Sequence, residues 1–223
     1  TPVWGKSFIR QFIDLSLPSQ LTASNLKLFD SHNSIYTIVT DTVGEDTILQ
    51  SSILKDLRRF CAIELVVGDD GDRDEHPYEK MSRFYQYALD RVTRDQICFF
   101  LTADDFYADG LFKTGRDVAD AGKRAMFVPT IRTALETFGV EFRRNGGQGL
   151  EPRALVDAML RHEHPMETAC VIGSDLLHPQ PAETLCRTGS GYLGHWNVMH
   201  PLMIEIGPPI PSIQSTIDWN LPL

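Results

Sequence analysis

The sequence predicts an α/β fold, a three-layer sandwich in which helices cover both faces of a mainly parallel central sheet, followed by an irregular C-terminal part. Short apolar runs without apolar/polar alternation recur along about the first 130 residues, and such runs are typical of strands buried on both faces. Amphipathic segments with helical periodicity separate these runs. Polar residues follow the ends of the runs. Because the carboxyl ends of parallel strands share one edge of a sheet, where ligands bind, we expect these residues to lie together.

The elements of this α/β pattern follow one another closely. The clearest helix covers residues 78–92, where Met81, Tyr85 and Leu89 share an apolar face and the other face is charged. β-branched residues dominate the run before Asp41, which favours a strand. In chain order the pattern predicts a helix over residues 6–17 that Pro18 ends, a strand over 34–41, a helix over 46–60, a strand over 62–67, the helix over 78–92, a strand over 97–101, a helix over 110–122 and a strand over 124–130.

The chain becomes less regular after residue 135, which divides the domain into residues 1–135 and residues 136–223. The second part contains one clear helical pattern, interrupted at His164 and Pro165, and one apolar run that favours a strand. We predict a loop over residues 141–152, a helix over 152–174, a turn-rich region over 177–201 and a strand over 202–206.

The composition is that of a globular protein, with 42% hydrophobic and 23% charged residues. No run approaches the roughly 20 apolar residues of a membrane helix, so we predict no transmembrane segment. The formal charge of −9, with no basic stripe to offset it, argues against a nucleic-acid partner. The four cysteines are far apart, which predicts a reduced, cytoplasmic protein without structural zinc. The opening "TPVWGKSF" reads as a strand interior rather than a signal peptide, which predicts further residues before Thr1.

The stretch "ICFFLTADDFYADGLF" carries the strongest chemical signal. Its apolar run leads directly into Asp104 and Asp105, and Asp109 follows. Adjacent carboxylates repel each other and are costly to desolvate. A divalent cation would compensate them, and oxygen ligands suit Mg²⁺ or Mn²⁺. The alternative is that one of the acids caps the following helix. The spacing alone leaves both interpretations open.

Other motifs exclude several classes of site. The loop "DDGDRDEH" fails the EF-hand pattern, because Glu75 stands where glycine is needed and Met81 where the bidentate glutamate should be. P-loop, G-x-G-x-x-G and G-x-S-x-G motifs are absent, which disfavours P-loop NTPases, Rossmann dehydrogenases and α/β-hydrolases. His195 and His200 flank an aromatic residue in "GHWNVMHP". Either histidine could approach a phosphate or a metal, or have a structural role.

In four places the sequence resembles a GT-A glycosyltransferase, whose single α/β domain binds a nucleotide-sugar. "TPVWG" resembles the end of the first strand, which implies that Pro2, Trp4 and Gly5 border the nucleotide pocket. "IYTIVTD" resembles the second strand, which implies that Asp41 lies near the base or ribose. "CFFLTADDFYADGLF" is similar to the fourth strand with its acidic D-x-D-type motif. "HWNVMHP" falls where such enzymes often have a histidine, late in the chain, that contacts the metal or the diphosphate.

This resemblance implies a metal site, with Mn or Mg as the cofactor. Ala103 replaces the first acid of a strict D-x-D motif, so Asp105 is the implied metal ligand, together with His195 and His200. Asp104 is implied to contact the ribose or the metal through water, and Thr130 to bind the nucleotide-sugar. A metal-independent enzyme would instead neutralise the leaving diphosphate with basic groups, for which Lys6, Arg132, His195 and His200 are available.

The implied reaction is transfer of a sugar from a nucleoside-diphosphate sugar to a hydroxyl of a glycan or glycolipid, such as a bacterial surface polysaccharide. Residues 1–135 would hold the donor and residues 136–223 the acceptor. Arg132 or a cation would stabilise charge on the departing diphosphate. An inverting enzyme needs a carboxylate base, for which Glu136 and Glu167 are candidates and Asp175 is a weaker one. The location implied is cytoplasmic, including the periphery of the inner membrane.

Two other functions remain open. A sugar-phosphate nucleotidyltransferase shares the layout, but it usually carries a Gly-rich basic loop where "VWGKSF" has one Gly and one Lys. A non-catalytic, transferase-like binding module of a larger protein would explain the imperfect acidic motif and the abrupt "DWNLPL" end. The sequence predicts neither the stereochemistry of transfer nor an oligomeric state.

Overall fold

The computed structural model describes residues 1–68, 75–93, 96–176, 181, 183–189, 191–197, 199–206 and 212–213. Most of the loop "DDGDRDEH" and the end "DWNLPL" lie outside this part of the chain. The strands are β1 Ile35–Thr40, β2 Ala62–Val67, β3 Gln96–Phe99, β4 Ala125–Val128, β5 Glu183–Thr188, β6 Gly191–Trp196 and β7 His200–Ile206. The α-helices are α1 Lys6–Gln11, α2 Leu17–Gln20, α3 Thr42–Gln50, α4 Ser52–Leu57, α5 Pro77–Leu89, α6 Leu111–Asp120, α7 Leu135–Arg144, α8 Pro152–Arg161 and α9 Pro165–Thr168.

The strands of the first half follow the prediction closely, but the first helix does not end at Pro18. A π-helical turn, Phe12–Ser16, joins α1 to α2, and Pro18 lies in the first turn of α2. A proline is tolerated in a first turn because its missing N–H would have no partner within that helix. The helical path therefore continues to Gln20.

The α/β class is confirmed, whereas a large, mainly parallel sheet is not found among the described residues. Parallel pairing is limited to β1 and β2, with the segment before α1 alongside β1, where Val3 donates to the Val39 carbonyl at 2.8 Å. β3 and β4 run in the same direction but are separated by β7, which is antiparallel to both. β7 is buried along most of its length. A fully buried antiparallel strand carries the same continuous apolar pattern as a parallel one, so the pattern alone does not reveal the direction.

The second half is more regular than the sequence predicts. The predicted loop over residues 141–152 begins inside α7, because Phe138 and Phe142 form a buried face with Leu155 of α8. The predicted turn-rich region contains the antiparallel pair β5–β6. The predicted break at His164 and Pro165 is confirmed, since α8 ends before it and α9 starts at Pro165.

One large apolar cluster joins the helical segment 6–20, the parallel pair and the start of β7, and includes Phe12, Ile38 and Leu202. A second cluster packs α5 against the sheet of β3, β7 and β4. In the described ranges, no helix combines the length and the apolar character needed to cross a membrane.

Candidate functional site

The first group of predicted site residues lies at the end of the parallel strands. Gly5 joins the segment before α1 to that helix with φ of 76°, a conformation that L side chains rarely adopt. Pro2 is bridged to Val39 of β1. Asp41 follows β1, is buried, and accepts a hydrogen bond from the Gly44 amide at 2.9 Å. The Asp41 carboxylate therefore caps α3.

Trp4 meets a cluster of aromatic and basic side chains that the sequence does not predict. Its ring lies edge-on to Phe84 of α5, with the ring centroids 5.5 Å apart. The Lys80 ammonium lies 5.7 Å from the Trp4 ring and 5.3 Å from the Phe84 ring, within the range of cation–π attraction. None of the ion pairs found in the described part of the chain involves Lys80. Helical periodicity assigns Lys80 only to the polar face of α5, so this basic group escaped prediction.

Asp104 and Asp105 follow β3, and neither caps α6, because the residue that precedes this helix is Gly110 and no side chain caps it. The Asp104 side chain reaches solvent, but crowding by surrounding protein atoms, and next the charge of Asp105, raise its pKa to about 6. Asp105 is half-buried, with Oδ2 3.5 Å from the hydroxyl of the buried Tyr107. Neither acid forms an ion pair with a lysine or arginine of the described ranges. No lysine or arginine of those ranges therefore compensates their repulsion.

The predicted histidines occupy different sheets. His200 starts β7, is buried, and its Nε2 donates to the Phe100 carbonyl at 2.9 Å. Its positive field partly opposes the rise of the Asp104 pKa. His195 is exposed in β6, opposite Thr184. Thr130 and Arg132 follow β4, whose last residue, Val128, pairs with His200.

The structure does not assemble the predicted metal ligands into one set. Across the described ranges, no group of three or more His, Cys, Asp or Glu side chains is placed to hold a metal ion. A Mg²⁺ or Mn²⁺ ion that takes one or two carboxylates, with phosphate and water completing its shell, needs no such group. Asp104 and Asp105 are adjacent carboxylates at one strand end, and desolvation and then the charge of Asp105 raise the pKa of Asp104; they fit this type of site.

The N-terminal helical segment and α5 join the two strand edges. Gln11 of α1 donates to the Asp104 carbonyl at 3.3 Å, and Ser16 to the Thr102 carbonyl at 3.5 Å. In α5, Phe84 contacts Trp4, and the hydroxyl of the neighbouring Tyr85 donates to the Leu101 carbonyl at 3.0 Å. Trp4 and the acid pair are thus held on one framework.

Two of the predicted catalytic residues, Arg132 and Glu167, lie together with Glu183 in a second charged group. Arg132 Nη1 lies 2.6 Å from Glu183 Oε1 and 3.8 Å from Glu167 Oε2. Both glutamates are almost fully buried. Desolvation raises the pKa of Glu167 to about 7, and the charge of Glu183 contributes to this rise. The hydrogen bond from the Arg132 amide opposes the rise. Glu136, by contrast, is exposed in the first turn of α7. Glu183 was missed because its strand was predicted as turns.

Comparisons with known proteins found no matching family model, no matching curated protein and no matching solved structure.

Proposed function

We propose that the protein is a glycosyltransferase that moves a sugar from a nucleoside-diphosphate sugar to an acceptor hydroxyl. The observation that supports this most strongly is the acid pair Asp104–Asp105, which lies after β3, caps no helix, and has no lysine or arginine ion-pair partner among the described residues. An external charge is the simplest compensation for two such carboxylates. The divalent cation that accompanies a nucleoside diphosphate supplies a positive charge of this kind.

The donor would lie along the strand edge between the acid pair and Trp4. The exposed part of Trp4 and the Lys80 ammonium offer an aromatic surface and a positive charge, which suit a base or ribose and a phosphate respectively. Mn²⁺ or Mg²⁺, when bound, would supply positive charge against the departing diphosphate. Asp105 would hold this ion directly, and Asp104 would contact it through water. Without a metal, Lys6 and Lys80 would be the basic groups for the same task, because Arg132 is paired with Glu183 and Glu167 and His195 lies in the separate β5–β6 sheet.

The acceptor would approach from the second half of the chain. Glu167 is the favoured base, because its pKa of about 7 lies near the operating pH that suits general base catalysis. It also lines a pocket. Glu136 is exposed on α7 and has no such surroundings. The acceptor is proposed to be a glycan or glycolipid, with the reaction in the cytoplasm or at the inner face of the membrane.

Titration calorimetry with UDP, GDP and CMP, with and without Mn²⁺, tests the donor site. We expect at least one nucleotide to bind, with Mn²⁺ strengthening the binding. Asp105→Asn should weaken the Mn²⁺-assisted binding by about tenfold or more, since it removes one carboxylate ligand. Asp56→Asn, which changes an exposed aspartate of α4 in the same way, is the matched control and should bind as the wild type does.

The same titration and a turnover assay with nucleoside triphosphates separate the alternatives. If no nucleotide binds with or without Mn²⁺, the transferase proposal is wrong, and a non-catalytic module becomes the better explanation. If nucleoside triphosphates are turned over to pyrophosphate with a sugar phosphate, the protein is a nucleotidyltransferase. Equal weakening by Asp105→Asn and Asp56→Asn would show that the acid pair is not the nucleotide site.

A further inference from the structure

A pocket of about 400 Å³ lies between α8 and the β5–β6 hairpin. Its walls are mostly apolar: Val156 and Leu160 come from α8, Leu185 from β5, and Tyr192 and Trp196 from β6. Small-molecule sites have this composition, in which apolar and aromatic walls bury the body of a ligand and a few polar groups orient it. A ligand of this pocket therefore needs an apolar body.

The two aromatic walls are held in place by the protein itself. The Trp196 indole N–H donates to the Thr130 carbonyl at 3.2 Å. The same ring lies so close to Gly194 that a Cβ atom there would stand 2.4 Å from the ring atom Cη2, so the glycine provides the space that the ring occupies. The Tyr192 hydroxyl is hydrogen-bonded to Glu163. Because the polar atoms of both side chains are already bonded, the pocket receives only their rings.

Glu167 also lines the pocket, but its carboxyl group is engaged within the protein. It is almost fully buried, and its Oε2 lies 3.8 Å from Arg132 Nη1. It also shares a side-chain hydrogen bond with Glu183. We therefore assign it no contact with a ligand of this pocket, and the other charged side chains of the lining decide which charges a ligand can carry.

Those side chains are Arg153 and Asp157, which stand about one turn apart on α8. Both are exposed, and neither takes part in an ion pair with any residue that the structure describes. In α6 the same spacing and order of charges does form an ion pair, between Lys113 and Asp117 at 2.6 Å. The two charges of α8 thus remain separate, and both are available at the pocket.

These features select a ligand with two opposite charges at one end of an apolar body. The planar guanidinium of Arg153 matches the geometry of a carboxylate, and Asp157 can pair with an ammonium group. A ligand with a single charge would be attracted by one of the two residues and repelled by the other. A free amino acid carries both groups on one carbon atom.

We propose that this pocket binds a free amino acid with a large apolar side chain, which packs between α8 and the aromatic residues of β6. The carboxylate of the ligand pairs with Arg153 and its ammonium group with Asp157. The inference does not rest on the proposed transferase activity. The two proposals fail separately, because one is tested by the binding of an amino acid and the other by the binding of a nucleotide.

Three ligands with one constant ring test the proposal. L-Phenylalanine carries both charges, phenethylamine lacks the carboxylate, and 3-phenylpropanoate lacks the ammonium group. Each is titrated at pH 7 and low salt while amide and indole resonances are followed by NMR. We expect L-phenylalanine to shift the Trp196 indole N–H and the amides of α8, and to bind about fivefold more tightly than either relative, the effect of one exposed charge pair. Equal affinities of the three ligands, or no saturable shift with L-phenylalanine, would overturn the proposal.

Two charge variants identify the contacts. Arg153→Met should weaken the binding of L-phenylalanine about fivefold but should not weaken that of phenethylamine, which has no carboxylate to lose a partner. Asp157→Asn should weaken L-phenylalanine to a similar extent but not 3-phenylpropanoate. Arg144→Met, at an exposed arginine of α7 that does not line the pocket, is the control and should change none of the affinities. If Arg153→Met weakened L-phenylalanine and phenethylamine equally, the assigned contacts would be wrong.

A third variant locates the apolar body of the ligand. Val156→Phe fills the pocket from α8 and should weaken L-phenylalanine about tenfold or more. Val140→Phe makes the same change at an exposed valine of α7 outside the pocket lining and should have no effect. Undiminished binding to Val156→Phe would refute the assignment to this pocket.

Discussion

The molecule contains two carboxylate pairs that solve the same electrostatic problem differently. Asp104 and Asp105 stand at a strand end, partly in solvent, with no basic ion-pair partner in the described ranges. Glu167 and Glu183 are buried and share the Arg132 guanidinium. A buried pair must be compensated within the fold, whereas a pair at the surface can be compensated by a ligand. We therefore expect the first pair to matter for binding and the second to matter for stability as well.

The largest effect should come from removing the internal cation. Arg132→Met leaves Glu167 and Glu183 buried without a positive charge, so we expect the free energy of unfolding at pH 8 to fall by about 3 kcal/mol. Urea denaturation measures this loss. Arg91→Met, which breaks an exposed pair with Glu64, is the control, with an expected change within about 0.5 kcal/mol. Equal losses in the two variants would remove the distinction between the carboxylate pairs.

A smaller effect should appear in the pH dependence of stability. Glu167 has a pKa of about 7 in the fold against 4.5 in its ordinary state, so the folded protein binds more protons than the unfolded chain between these values. The stabilising contribution is full below pH 4.5 and is lost as the pH rises through 7, by about 2 kcal/mol. The groups that face Glu167 are Arg132 from the loop after β4, Glu183 of β5 and Cys170 after α9.

Glu167→Gln removes this titration and should flatten the profile. Urea denaturation of both proteins at pH 5 and pH 8 checks the difference. An equally steep profile in the variant would show that another group titrates in this range.

The smallest effect on stability is expected at the acid pair. Asp105→Asn removes one of two adjacent charges that repel each other, so the free energy of unfolding should stay within about 1 kcal/mol of the wild type or rise. Thermal unfolding of the variant without nucleotide measures this. The same substitution is expected to weaken nucleotide binding, and this combination marks a ligand site. A large destabilisation would instead assign Asp105 a structural role.

Several elements could be predicted from the sequence because their signal is local. The periodicity of residues 78–92 identifies α5, and the apolar run before Thr102 identifies β3 and places Asp104 and Asp105 directly after it. Placing a charge pair after an apolar run requires no knowledge of distant contacts. The predicted burial of that strand on both faces is not found, because in the described part of the chain β3 is an edge strand in which Gln96 and Ile97 are exposed. The hairpin β5–β6 could not be predicted in this way, because its burial pattern is mixed and turn residues surround it.

The candidate site was predictable only in part. Asp41 was placed correctly after β1, but the sequence did not reveal that its carboxylate caps α3. Lys80 was hidden on the polar face of α5, although the fold brings it over Trp4. His195 and His200 are close in the sequence but belong to different sheets, because β6 ends between them.

By itself, the sequence determined the α/β class, most element positions in the first half and the exit of the acid pair from β3, since burial and periodicity act over a few residues. Tertiary structure decided the direction of β7 between β3 and β4, because a fully buried strand looks the same in either direction. It also decided that Glu167 is buried beside Arg132, 35 residues away, and that Arg132 also reaches Glu183, 51 residues away. The environment of a charge depends on which distant segments pack around it, and local patterns carry no record of that packing.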